Sequence, residues 1–450
     1  MLYRSTRGGV SGREFAQVLI EGLAPDGGLY VPSELPTAPA PAIAFADTVA
    51  AVAAPFIRPD PLAEDLEEIC HRVYGTFRHP EVAPVRRIGP DRHLLELFWG
   101  PTLSFKDYAL QLVGALFDRV LARSGERLLI LGATSGDTGS AAIEACRGRE
   151  GIDIVVLYPD GAVSEVQRRQ MTTITDTNVH TVAVAGSFDD CQRMVKEAFS
   201  EHRDRFPLGA INSINWARIM AQAAYYVHVA GAVPDHRFVV PTGNFGNVLA
   251  AHLARRMGAL IGGLTVANNA NHGLADLIRS GKLAVRRVEP TVAPAMDIQI
   301  PSNLERYLFE ALDEDPARVM GLQERLATQG VISLDPATLA RIRTDYEAGW
   351  QSDEKVVDTI RRVHESHGLI IDPHTAVAWG VADEIQEPTV VVATAHPAKF
   401  GDVVARALGE NPDLPPELAP IMTRPERTTH ITPHQHQLVD VLDSVIQTWT

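Results

Sequence analysis

Apolar positions along this chain keep two different periods, and the two take turns. Leu110, Val113, Phe117 and Val120 recur at helical spacing and predict an amphipathic helix that presses one stripe onto a core. Downstream, short apolar runs suited to strands alternate with helical ones. Arg127–Leu131 precedes a helix expected from about Thr138 to Cys146, Ile152–Leu157 precedes one from about Ser164 to Thr173, and Val179–Val184 precedes one from Phe188 to His202. A second group of strands is expected at Arg237–Val240, Leu264–Ala267 and Thr389–Ala393. Strand and helix in turn predict a parallel sheet covered on both faces, and the two groups predict two α/β lobes. Upstream, seven prolines from Pro32 to Pro61 punctuate the stretch Val31 to Leu62. That stretch therefore reads as connecting structure within an N-terminal region, not as one continuous helix or a central strand. No repeat of solenoid period is present.

Size changes the picture little: 450 residues exceed a single core and predict two or three domains. The three cysteines, Cys70, Cys146 and Cys191, are scattered and odd in number, which argues against a disulfide framework or a zinc site and fits a reducing cytoplasm. The first residues hold no apolar signal segment, and no apolar run is long enough to span a bilayer, so a cytoplasmic protein is expected. A formal charge of -15 disfavours nucleic acid and anionic membranes as partners. An anionic small molecule stays possible, because helix termini and a few basic residues override the global field locally.

Four segments carry candidate chemistry. Lys106 stands in the first turn of the predicted helix behind an apolar and aromatic run. Desolvation and the positive helix end both disfavour its ammonium form and expose a nucleophilic amine. Phe238 to Asn247 reads as strand, glycine-bearing turn and helix start, a junction whose free amides face an anion such as phosphate. It is neither a P-loop nor a dinucleotide fingerprint, and a tight turn without ligand fits it about as well. Ala133 to Ser140 packs four hydroxyls, an acid and two glycines into a second such junction, suited to a carboxylate or simply to capping a helix. Asn212, Ser213 and Arg218 precede or open another helical run, and Arg218 is suited to bidentate phosphate binding. His430, His434 and His436 lie in a proline-bearing C-terminal stretch and read as solvated, so no metal site is expected.

Taken together, these segments closely resemble the threonine synthases, of the longer bacterial and fungal type, and behind them the fold-type-II pyridoxal-phosphate enzymes. The resemblance runs essentially end to end. It is carried by the runs Tyr3 to Gly8, Asp26 to Pro32, Gly100 to Asp107, Thr134 to Gly139, Asn212 to Asn215, Gly243 to Gly246, Ala295 to Ile298, Pro373 to Val377 and Thr394 to Phe400. It implies a two-lobed α/β fold like that of the tryptophan synthase β chain, with an N-terminal region over 1–85, a catalytic domain over 86–425 and a C-terminal tail over 426–450. Within the catalytic domain the smaller lobe would span about 125–235, and the larger about 236–425 together with 86–124.

The resemblance further implies that Lys106 holds pyridoxal phosphate as a Schiff base, that Gly243, Asn244, Phe245, Gly246 and Asn247 cup its phosphate, and that Thr394 faces its pyridine nitrogen. Ser135, Gly136, Asp137 and Thr138 would contact substrate or cofactor, and Asn212, Ser213 and Arg218 would take the substrate's phosphate. The implied reaction converts O-phospho-L-homoserine and water to L-threonine and phosphate, in a monomer or homodimer. Two positions depart from pattern. Asp137 stands where many fold-type-II enzymes carry asparagine, and an anion there repels the cofactor's phenolate unless one group is protonated. Asn247 stands where the long type carries an acid, and an amide tolerates a phosphate at least as well. The alternatives are another lyase or dehydratase of the same fold and, from a different class, a nucleotide-binding kinase or a silent binding protein using the two glycine turns.

Overall fold

The computed structural model describes residues 1–449. Two sheets organise the chain. The larger runs Glu347–Trp350, Gly263–Asn268, Arg237–Pro241, Thr389–Ala393, Arg92–Glu96 and Val85–Arg87 in spatial order, parallel except for the last, which pairs antiparallel at the edge. The smaller runs Thr429–Ile431, Val179–Val184, Ile152–Pro159, Leu128–Ala133 and Leu208–Gly209, all parallel. Parallel strands sandwiched by helices need apolar side chains on both faces, and every residue of Ile152–Pro159, Thr389–Ala393 and Gly263–Asn268 is buried. Helices follow the strands at Asp137–Cys146, Glu165–Thr172 and Phe188–Glu201, the last two capped by Ser164 and Ser187.

Two expectations are corrected. The proline-punctuated stretch is not all connecting structure, because Phe45–Ile57 is one helix with Pro55 inside its last turn. Phe45, Val49, Val52 and Phe56 form a buried helical stripe, whose packing outweighs the lost donor and the carbonyl clash that Pro55 brings to the last turn. The C-terminal residues are not a separate tail either. Thr429–Ile431 adds a strand to the smaller sheet, and Leu438, Leu442 and Val445 of the Gln435–Gln447 helix pack with Cys191, Met194 and Ala198.

The N-terminal region, with its antiparallel sheet of Tyr3–Ser5, Ser11–Arg13 and Tyr30–Pro32, shares a core with the Lys106–Ser124 and Trp216–Ala230 helices. Its Arg7 grips Glu305 through two nitrogens, at 3.1 and 2.8 Å, and Thr6 bonds the same carboxylate at 2.6 Å. Among the described residues no helix is long and apolar enough to cross a membrane.

Candidate active site

Lys106 is the first residue of its helix and is 8% exposed. The preceding turn is pinned to the larger sheet: the Phe105 amide donates to the Thr394 carbonyl at 2.8 Å and the His396 amide to the Leu103 carbonyl at 3.1 Å. Backbone pairing thus places Lys106 beside buried Thr394. Burial pushes the lysine below its ordinary value, and the Lys399 and Arg218 charges add to that, while Asp137 opposes them. An amine so placed is poised for imine chemistry.

Asp137 opens the next helix, behind Gly136 at φ 151, where a Cβ would come within 2.6 Å of the Gln167 side chain. Only glycine fits that turn. Its carboxylate receives Lys106 Nζ at 3.3 Å, Lys399 Nζ at 2.8 Å and Gln167 Nε2 at 2.8 Å. Burial raises this carboxyl, yet Lys399 and Lys106 pull it well below the usual carboxylate range. Ser135 and Thr138 are half-buried at the same loop. Two amides of the loop, those of Gly136 and Gly139, are taken by Thr134 Oγ1 at 3.0 and 2.9 Å, so they do not face a ligand as the sequence suggested.

The glycine turn lies between Arg237–Pro241 and the Gly246–Arg256 helix. A Cβ on Gly243 would sit 2.6 Å from the Ala295 carbonyl, which explains why the Ala295 to Ile298 segment packs there. Phe245 adopts a left-handed φ of 64° and buries its ring against Tyr307 and Tyr346 just before the helix starts at Gly246. Asn247 Oδ1 accepts from the hydroxyls of both Tyr225 and Tyr226, leaving its buried Nδ2 without a partner. Tyr225 also meets Tyr108, two residues beyond Lys106, with ring centroids 5.8 Å apart.

Arg218 is 3% exposed, and its Nε and Nη1 have no partner among the described residues. Burial lowers its pKa to about 10. A buried guanidinium without a counter-ion is expensive unless a ligand supplies the charge. Ser213 meets Ser302 at 3.0 Å, and Ser302 Oγ donates to Asn244 Oδ1 at 3.2 Å. Asn212 is exposed, and its side-chain oxygen accepts the Ile214 amide at 3.1 Å, so it shapes the loop.

Residues 94–395 match the family described as pyridoxal-phosphate dependent enzyme, residues 2–74 the threonine synthase N terminus and residues 375–442 the threonine synthase C-terminal family. The chain belongs to the threonine synthase family. Threonine synthase from Pseudomonas aeruginosa is 44% identical over 95% of each chain, and that from Schizosaccharomyces pombe is 40% identical over 91% of this chain and 90% of its own. Among solved structures, the pyridoxal-phosphate-bound threonine synthase from Brucella melitensis superposes with a TM-score of 0.95 at 43% identity, covering 99% of both chains. Threonine synthase from yeast superposes at 0.93 and 34% identity, again covering 99% of both. The orphaned Asn247 amide, the helix start at Gly246 and the desolvated amine suit the phosphate and aldehyde of that cofactor.

Three residues at this threonine synthase site escaped the sequence reading: Lys399, Gln167 and Asn303. Lys399 stood inside a motif run, but nothing marked it as buried. Gln167 sits in a polar helix whose composition predicts exposure. Asn303 looks like any residue before a helix, yet it is fully buried.

Proposed function

We propose that this chain makes L-threonine and phosphate from O-phospho-L-homoserine and water, with Lys106 as its catalytic lysine. Bound pyridoxal phosphate supplies an electron sink that acidifies the substrate's α and β carbons. Lys106 would hold the cofactor and move protons at those carbons. Gly243, Asn244, Phe245, Gly246 and Asn247 hold the cofactor's phosphate on backbone amides and the Asn247 Nδ2. Thr394 presents a neutral hydroxyl to the pyridine nitrogen, which disfavours the full protonation that transamination needs. Ser135, Gly136, Asp137 and Thr138 form the loop that would contact substrate or cofactor. Arg218, with Ser213 on a loop that Asn212 shapes, binds the γ phosphate and stabilises it as it leaves.

The observation that carries this reading is Arg218: a guanidinium buried without a partner, whose charge acts on Lys106. It supports a second anion position in the site, as a phosphorylated amino acid requires. The test is a product assay with O-phospho-L-homoserine, with and without added pyridoxal phosphate. Stoichiometric phosphate and threonine are expected, and Lys106→Ala should abolish both. A keto acid in place of threonine would point instead to a dehydratase or another lyase of the same fold.

A further inference from the structure

Asp137 is shared by two lysines, and only one of them is explained. Lys399, 1% exposed, places Nζ 2.8 Å from Asp137 Oδ1 and 2.7 Å from the Thr102 carbonyl. Lys106 Nζ approaches the other carboxylate oxygen at 3.3 Å. Burying an ammonium group costs several kcal/mol by itself, and a methionine would fill the same volume. A second buried cation therefore calls for a reason tied to the site.

Counting charges supplies one. When Lys106 forms an imine with a pyridoxal aldehyde, its nitrogen carries at most one proton. The cofactor's phenolic oxygen, ortho to the aldehyde carbon, lies beside that nitrogen. Asp137 faces the nitrogen already, so a carboxylate and a phenolate would share one proton and repel each other. Lys399 is the nearest compensating cation. The other titratable or charged groups acting here are Arg218, on Lys106, and Asp107 and His396, which both lie within the field of Lys399.

Resting on the pyridoxal-phosphate reading above, we infer that Lys399 is a positioning residue, which with Asp137 forms a charge-neutral pair that lets a carboxylate sit against the cofactor's phenolic oxygen. It touches Asp137 and acts through it.

The pair is tested by its interdependence, in the full-length protein loaded with pyridoxal phosphate. Lys399→Met should weaken cofactor affinity about tenfold or more, the size of one unpaired close anion. It should also hold the visible band of the bound cofactor to higher pH, because removing a nearby cation favours the protonated nitrogen. Adding Asp137→Asn removes the unpaired anion, so the double variant should regain both the affinity and the wild-type pH profile. If Lys399→Met does not fold, as read from melting of the cofactor-free protein, Lys399→Gln, able to keep the bond to Thr102, takes its place.

A Lys399 that merely staples its turn to residue 102 predicts a double variant no better than the single one and an unmoved pH profile. Either result overturns the inference. A wild-type protein that shows no visible band with pyridoxal phosphate, and no borohydride trapping at Lys106, removes the cofactor reading itself and this inference with it.

Discussion

The side-chain amide of Asn303 donates to the Ser213 carbonyl at 2.9 Å and reaches the Asn244 carbonyl at 3.2 Å. One buried amide thus ties the loop assigned to the substrate's phosphate to the turn assigned to the cofactor's. Its oxygen accepts from Arg306, which also donates to the Tyr30 carbonyl at 2.9 Å and the Ile214 carbonyl at 2.6 Å. The N-terminal region is thereby joined to both.

Asn303→Asp separates this tie from the fold. The new carboxylate keeps the Arg306 bond and gives that buried guanidinium, lowered to about 9 by burial, a counter-ion. It cannot donate, so the half-buried Ser213 carbonyl loses this partner, at up to about 3 kcal/mol, while the Asn244 carbonyl keeps only the Asn303 backbone amide at 3.1 Å. We expect a melting temperature near wild type or only modestly lowered, with weaker binding of both pyridoxal phosphate and phosphohomoserine. Unchanged affinity for both would show that the two loops hold their places without Asn303.

Arg218→Met should trade function for stability. Among the described residues nothing pairs with this guanidinium, and replacing an uncompensated buried charge with an apolar side chain of similar length is worth about 2 kcal/mol. The variant should therefore melt a few degrees higher in the absence of ligand. Phosphohomoserine binding should weaken about a hundredfold, the loss of about 3 kcal/mol of charge-assisted hydrogen bonding. A lower melting temperature with an unchanged KM would remove Arg218 from the substrate site.

Much of this site was legible in the sequence because its parts are local. A lysine at the head of an apolar helix and a glycine turn between strand and helix are each written in a dozen consecutive residues, and the structure has both where the pattern put them. What stayed hidden depends on distant packing. Lys399 is buried only because the turn Pro397–Phe400 folds over residue 102, and Asn303 only because three loops converge on it. The helix Phe45–Ile57 was obscured for another reason: prolines at its flanks and in its last turn outweighed an apolar stripe at positions 45, 49, 52 and 56. The terminal strand Thr429–Ile431 is three residues long and finds its place only by pairing with Val179–Val184.

His396 makes part of the acid sensitivity predictable. Burial pushes its imidazole down to about 4 from an ordinary 6.5, so the folded state holds it neutral where the unfolded chain takes up a proton. A depressed folded value means its contribution is complete above pH 6.5 and is lost as the pH falls toward 4. The span corresponds to about 3 kcal/mol. His396→Asn keeps an acceptor for the Ala398 amide, which the histidine caps at 3.2 Å. Denaturant titrations at a series of pH values should show a shallower decline for the variant between 6.5 and 4. Parallel curves would mean that the imidazole stays solvated.

Gly243→Ala tests the glycine turn by adding one methyl group while removing no donor assigned to the cofactor's phosphate. The added methyl would meet the Ala295 carbonyl at 2.6 Å and the Met296 Cα at 3.2 Å, both backbone atoms that cannot swing aside. Ala295 is itself held, since its amide donates to His374 Nε2 at 3.2 Å while the opposite ring nitrogen bonds Asp372 at 2.8 Å. Relief must therefore come from the turn, moving its amides off the cofactor's phosphate. Overpacking of this kind costs about 1–3 kcal/mol. We expect cofactor affinity to fall by about tenfold to a hundredfold, as that energy is spent on the bound turn. Inorganic phosphate should relieve the loss no better than in wild type, because the defect lies in the shape of the turn and not in its charge. Full affinity in the alanine variant would show that the Ala295 segment yields and that the close approach at Gly243 is incidental to phosphate binding.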